Sequence, residues 1–303
     1  MIDPFVLAIF GPTASGKTGV AEAVADRIPA RLISADAMQV YRGVPILTNQ
    51  SERPTGLVGI WELDHEASVG EYAELAHAAI DRALAEGETP VVVGGTGLYL
   101  RAALVDLDLP SAPEPGARER WESEYDRLGA DSAHALLAER DPAAAALVHP
   151  NDRRRVVRAL ELAEAGESLA PREGRLWGEE TRHPTLIVGL DVPKEELDSR
   201  IAARTRLMFE AGVEEEVRQA LEGQISATAR TIHGLTDIAE LPRAEAFETL
   251  VRRTRRYATY QRKWMRRVPG LVSVAADRPV DEVADEILEV ARARQRLPAG
   301  PAG

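Results

Sequence analysis

FVLAIFGPTASGKT, Phe5 to Thr18, decides how the chain is read. Phe5 to Phe10 is a short, wholly apolar run, the pattern of a strand buried on both faces. It breaks into GPTASGKT, Gly11 to Thr18, and a helical stretch follows from Thr18 to Ile28. The loop matches G-x-x-x-x-G-K-[ST] between a strand and a helix, the setting that the pattern requires. Gly11 and Gly16 permit a backbone whose N–H groups converge on anionic oxygens. The helix that follows adds its positive end. Lys17 brings a point charge, and the Thr18 hydroxyl suits Mg²⁺. Gly11, Pro12, Thr13, Ala14, Ser15, Gly16, Lys17 and Thr18 are therefore the candidate phosphate-binding residues.

Working outward, Arg31 to Ser34 and Pro90 to Gly95 read as further buried strands, with a helix over Gly70 to Glu86 between them. Strand–helix alternation with buried strands predicts a parallel sheet flanked by helices, an α/β fold of the P-loop type. Asp106 to Arg118 is a Pro-rich break. The residues after it, to about Arg182, are rich in Ala, Glu and Arg and carry no strand pattern. The strand pattern returns at His183 to Val192 and again at Leu271 to Val274, so the middle is expected to be an all-helical insertion domain. Pro193 is expected to open a helix from its first position. Ala244 to Arg267 predicts a helix up to ~36 Å long, and Val280 to Ala293 a closing one. The expected divisions are core 1–112, insertion 113–182, core 183–295, and a Pro/Gly-rich tail, 296–303, that does not pack.

With 303 residues, 45% of them apolar and 28% charged, the chain can bury a sizeable core. It has no cysteine, which excludes disulfides and thiolate metal sites and suits a reducing compartment. MIDPF carries no basic leader, and no apolar run approaches the ~20 residues of a membrane span. A cytoplasmic protein with no membrane partner is expected. The net charge of −12 alone argues against a nucleic-acid partner. Its distribution argues otherwise. Leu250 to Ala276 holds Arg252, Arg253, Arg255, Arg256, Arg262, Lys263, Arg266 and Arg267 with no acid, and Arg153, Arg154, Arg155 and Arg158 form a second cluster. Such faces either bind RNA or are solvated helix surfaces.

The loop does not say whose phosphate it holds. ATP is the common ligand, which makes a small-molecule kinase one reading; no N-K-x-D stretch supports a GTPase. The strand VVVGG ends in glycine where nucleotide hydrolases carry an acid. Asp36, in ISADAMQVY, and Thr96, in VVVGGTGLY, lie at strand ends on the rim where doubly wound sheets bind ligands. Asp36 is a base or a helix cap; Thr96 is a phosphate ligand or a cap. Arg204 and Arg206 point to different helix faces, and one of them is in a position to reach the phosphates.

Taken together, GPTASGKT, SADAMQVYRG, GGTGLYLRA, HPNDRRRVVRALE and the spaced set Arg200, Ile201, Arg204, Met208, Gly212 resemble the tRNA dimethylallyltransferases, across nearly the whole chain and in the family's order. That resemblance implies that the loop holds the diphosphate of dimethylallyl diphosphate. The allyl group passes to the exocyclic amine of the adenine 3′ of the anticodon, in tRNAs that read codons starting with U. It implies Asp36 as the base, Thr96 at the bridging oxygen, and Lys17, Arg204 and Mg²⁺ at Thr18 on the leaving diphosphate. By the same resemblance Asp36, Ala37, Met38, Gln39 and Thr96 line the adenine pocket. Arg118, Arg154, Arg155 and Arg158 contact the anticodon stem-loop, Arg255 adds charge, and the protein is a bacterial-type short form acting as a monomer.

Three segments depart from the family pattern. YRGVPILTNQSERP stands where YRGMDIGTAKP is usual; Leu235, in TIHGLTDI, takes a tyrosine's place; and ATYQRKWMR keeps Gln261, Trp264 and Arg266 of A-K-R-Q-x-T-W-x-R but not Tyr260 or Lys263.

Overall fold

The computed structural model describes residues 5–107, 114, 116–170, 176 and 178–296. Five parallel strands, β1 (Val6–Phe10), β2 (Ala30–Ser34), β3 (Thr89–Gly94), β4 (Thr185–Asp191) and β5 (Val272–Ala275), form one sheet in the order β2-β3-β1-β4-β5. All five lie where the apolar runs predict them.

The helices, in chain order, are α1 (Lys17–Ala25), α2 (Pro45–Thr48), α3 (Val69–Ala85), α4 (Gly97–Leu104), α5 (Ala117–Leu128), α6 (Ala130–Arg140), α7 (Pro142–Ala145), α8 (Arg153–Glu164), α9 (Lys194–Glu210), α10 (Val213–Ala220), α11 (Leu235–Glu240), α12 (Arg243–Met265) and α13 (Val280–Arg296). Alternate strand residues point to one face. Leu7, Ile9, Val91, Val93, Leu186, Val188 and Leu190 there pack with Val20 and Val24 of α1 and with Val283, Ile287 and Leu288 of α13. Helices α3 and α4 pack together and against β1, β2 and β3. Pro193 is extended (φ −51°, ψ 145°) and caps its helix rather than opening it: its carbonyl accepts the Leu197 N–H at 3.0 Å, but its own ψ is not helical.

Two compact units result: 1–106 with 176–303, and 107–175. The expected insertion limits, 113–182, are corrected at both ends. Residues 176–182 belong to the sheet unit because Arg101, fully buried on α4, donates to the carbonyls of Leu176 (2.9 Å) and Gly178 (2.8 Å). The Arg182 N–H adds a bond to the Leu104 carbonyl at 2.9 Å. Composition alone does not reveal such backbone ties. Helices α5 to α8 make the second unit, with its own core of Trp121, Tyr125, Leu137, Val156, Val157 and Leu160. Arg296 closes α13, and the rest of the expected tail, 297–303, lies outside the described residues. No helix among the described residues is long and apolar enough to cross a membrane.

Strand β1 sits between β3 and β4. The chain leaves it toward one side of the sheet for β2 and β3 and later crosses to the other for β4. The crevice outside the carboxyl end of such a strand is where open α/β sheets bind ligands.

Candidate active site

Three strand ends build the site. After β1 the phosphate loop turns through left-handed conformations at Ala14 (φ 63°) and Gly16 (φ 84°). The Ser15 N–H is held by the Pro12 carbonyl at 3.1 Å, whereas those of Gly16, Lys17 and Thr18 take no acceptor among the described residues. These groups open α1, where a helix has donors to spare. The Thr13 N–H is not free for a ligand: it donates to Oε1 of Gln261 at 2.7 Å. A β-carbon on Gly11 would stand 2.5 Å from the Ser15 hydroxyl, which explains that glycine.

After β2, Asp36 enters a cavity of about 370 Å³ whose wall also includes Lys17, Thr18, Met38, Gln39 and Arg204. One oxygen of the carboxylate accepts the Met38 N–H at 3.0 Å, so Asp36 holds its own turn as well as facing the cavity. Gln39 has its amide engaged with Ser34 and with the carbonyls of Thr48 and Asn49, which ties the segment after α2 to the rim. Pro45 opens α2, and the Glu216 carboxylate accepts the Ile46 and Leu47 N–H groups, both at 2.7 Å.

After β3, Thr96 precedes α4 but its side chain does not cap it. The hydroxyl accepts from the Ala37 N–H at 3.2 Å and lies 3.4 Å from the Tyr257 hydroxyl. The glycines around it are steric requirements. A β-carbon on Gly94 would meet the Ala35 carbonyl oxygen at 2.0 Å, one on Gly95 the Gln261 amide at 2.3 Å, and one on Gly97 the Trp264 ring at 2.2 Å. The strand therefore ends in glycine because the backbone after β2 lies against Gly94, and the turn that follows keeps Gly95 and Gly97 because α12 packs onto it.

Two cations lie at the base of the cavity. Burial lowers the Lys17 ammonium to about 8, with Asp36 acting to raise it and Arg204 to lower it further. Burial likewise lowers Arg204, which Asp36 partly offsets. Arg204 donates to the Thr13 hydroxyl, and its Nε is buried with no partner. Two half-buried cations facing one carboxylate leave an excess positive charge, and a buried guanidinium N–H without an acceptor, as at Arg204 Nε, costs ~1–3 kcal/mol. An anionic ligand removes both deficits. Thr18 also lines the cavity. Among the described residues no cluster of three or more His, Asp or Glu side chains is placed to hold a metal. A Mg²⁺ here would have to share one hydroxyl with ligand phosphates and water, the usual habit of that ion.

Four cavity residues on one helix are not among the sequence-predicted site residues. Leu250, Thr254, Tyr257 and Gln261 of α12 line the cavity at spacings of four, three and four residues, one helical face. The spacing is present in the sequence, but the arginines between these residues carry the stronger signal. His233 and Arg200 also line the cavity. The His233 ring packs on Tyr257 with centroids 4.5 Å apart, and burial lowers its pKa.

The basic residues divide into two kinds. Arg118 and Arg158 converge on the buried Glu161 carboxylate at 3.0 and 2.9 Å, while Arg154 and Arg155 are exposed. Arg255 leans on Asp198, donating to its carbonyl at 3.3 Å.

Residues 39–268 match the family described as IPP transferase. The chain belongs to that family. It is 40% identical over 292 residues to a tRNA dimethylallyltransferase of Thermobifida fusca, covering 90% of this chain and 91% of the relative. It is 41% identical over 283 residues to the enzyme of that name from Mycobacterium tuberculosis, covering 86% and 89%. Among solved structures, the tRNA delta(2)-isopentenylpyrophosphate transferase of Staphylococcus epidermidis superposes with a TM-score of 0.68 at 28% identity, covering 96% of this chain and 100% of that one.

Proposed function

We propose that this enzyme transfers the dimethylallyl group of dimethylallyl diphosphate to the exocyclic amine of the adenine 3′ of the anticodon, in tRNAs that read codons starting with U. The observation that carries the reading is the cavity in which half-buried Lys17 and Arg204 face Asp36, beneath the arginine-rich α12. A bond forms between the adenine nitrogen and the allylic carbon as the bond from that carbon to the diphosphate oxygen breaks. Asp36 takes the proton that the amine loses. That amine is a poor nucleophile, its lone pair delocalised into the ring, and a base in hydrogen-bond reach is worth ~10²–10⁴-fold.

The phosphate loop, Gly11 to Thr18, and Arg204 receive the diphosphate and neutralise the charge that it gains on leaving, the electrostatic contribution that usually dominates. Thr96 fixes Ala37 and Tyr257, and its own proton is available to the bridging oxygen. Thr18 would hold a Mg²⁺ together with the ligand, and the ion would supply further charge neutralisation. Met38 and Gln39 form the adenine side of the cavity; Ala37, between them and Asp36, holds Thr96 through its N–H. Drawing the adenine out of its stack costs a few kcal/mol, and Arg154, Arg155 and Arg255 supply phosphate contacts to offset it, while Arg118 and Arg158, paired with Glu161, support that face. We take the working unit to be a cytoplasmic monomer. The exposed large apolar side chains among the described residues, such as Leu75, Leu207 and Val280, are single residues on separate elements.

The test is to incubate the protein with Mg²⁺, unmodified tRNA and radiolabelled dimethylallyl diphosphate, digest the RNA, and identify the labelled nucleoside. Isopentenyladenosine is expected. Absence of label, with ATP-dependent phosphorylation of a small molecule instead, would replace the reading with the kinase one.

A further inference from the structure

A second, more open groove shares His233 and Tyr257 with the reaction cavity and continues outward along α12 to Tyr260. Tyr260 is three residues beyond Tyr257, on the same flank of the helix. It is 55% exposed, with one edge-on ring contact, to Trp264 at 6.4 Å. Arg230, Arg253 and Arg256 border the same groove. Arg253 is committed to Asp237 at 2.8 Å. Arg230 and Arg256 are exposed and make no ion pair among the described residues.

A half-exposed aromatic ring beside unpaired guanidinium groups is poorly suited to a protein partner's apolar core. It suits an unpaired nucleotide, which offers a flat base to the ring and a phosphate to the cations. The position adds to this. A polynucleotide whose adenine enters the cavity must leave the next nucleotide at the cavity's mouth, and that base loses a stacking neighbour when the adenine is withdrawn. We propose that Tyr260 is the stacking platform for the unpaired nucleotide adjacent to the reacting adenine, with Arg230 and Arg256 on its phosphates. The proposal rests on the tRNA-prenylating reading.

The test uses the full chain, a fluorescently labelled anticodon stem-loop, and the variants Tyr260→Ala, Tyr260→Phe and Tyr260→Trp. Tyr260→Ala is expected to weaken RNA binding by roughly five- to a hundredfold, the range of base–aromatic stacking, with Phe and Trp within about twofold of wild type. Under turnover, KM for the RNA should rise by the same factor while kcat and KM for dimethylallyl diphosphate hold. An abasic nucleotide on the correct side of the adenine should cost wild type as much, and should abolish the further effect of Tyr260→Ala. Unchanged binding by Tyr260→Ala overturns the proposal. So does a loss of equal size on RNAs abasic at either flanking position, which would mark a structural role. Because binding is measured apart from transfer, the two readings fail separately. Tyr260-dependent binding without prenylation sinks the reaction but keeps the platform; prenylation that is indifferent to Tyr260 does the reverse.

Discussion

Gln261 donates its side-chain amide to the Gly95 carbonyl at 2.8 Å while its oxygen accepts the Thr13 N–H at 2.7 Å. One buried residue of α12 thus joins the phosphate loop to the end of β3, the two places where the ligand's phosphates and the Thr96 hydroxyl have to be held in register.

The close fit makes Gly95 a sensitive position. A methyl group there would lie 2.3 Å from the Gln261 nitrogen and 3.0 Å from the Gly11 carbonyl oxygen. Gly95→Ala is expected to lower stability by ~1–3 kcal/mol through overpacking, and to lower kcat by pushing α12 off the loop. Gln261→Ala gives up two hydrogen bonds but clears part of the clash. The double variant should therefore be less destabilised than the sum of the two single ones. Denaturant midpoints for the four proteins measure this, and strict additivity would mean that the two residues do not communicate.

Asp36→Asn separates the two jobs of that side chain. The amide oxygen still accepts the Met38 N–H, so the turn survives, but the proton acceptor is lost. Transfer should fall ~10²–10⁴-fold. Dimethylallyl diphosphate should bind at least as tightly as to wild type, since a negative charge facing Lys17 and Arg204 has gone. Single-turnover transfer and equilibrium binding together decide it: a variant that transfers near the wild-type rate would remove Asp36 from the chemistry.

Much of this was legible in the residues. Buried strands announce themselves as uninterrupted apolar runs, and the phosphate loop is fixed by local geometry that two glycines and a lysine encode. What stayed hidden depends on distant partners. The reason for Gly94, Gly95 and Gly97 lies in Ala35, Gln261 and Trp264, two of them more than 160 positions away. The return of the chain at 176 rather than 183 depends on the hydrogen bonds of Arg101, a residue that composition would place on the surface. The basic cluster at 153–158 read as one uniform face, yet Arg158 turns inward to Glu161 and Arg154 does not.

That division predicts different phenotypes from neighbouring arginines. Arg154→Ala with Arg155→Ala removes exposed charge only, so the melting temperature should hold. If these residues grip the stem-loop, affinity should drop and the log–log salt slope should become shallower by roughly 0.7–0.9 for each phosphate that is no longer neutralised. Arg158→Ala instead leaves the buried Glu161 carboxylate with one guanidinium fewer, and should cost ~1–3 kcal/mol of stability. Thermal melts and RNA titrations at several salt concentrations separate the two. An unchanged salt slope in the Arg154, Arg155 double variant would take that face out of the RNA site.

Lys17 makes ligand binding dependent on pH in a direction that can be worked out. In the ligand-free protein its ammonium is lowered from 10.5 to about 8, chiefly by burial. The unfolded chain therefore holds more protons than the folded one between those values, and stability rises with pH across that window. A bound diphosphate stabilises the charged form and moves the pKa back up. At pH 7 the lysine is charged before and after binding, so little proton uptake is expected. At pH 9 it is largely neutral before binding and charged after, so uptake should approach one proton, and affinity should fall close to tenfold per pH unit above 8. Calorimetric titration of dimethylallyl diphosphate, without RNA, in buffers of different ionisation enthalpy reads the proton count directly. Lys17→Met should abolish the uptake along with most of the affinity. Uptake that persists in that variant, or that is missing from wild type at pH 9, would mean that another group, and not Lys17, balances the charge of the bound diphosphate.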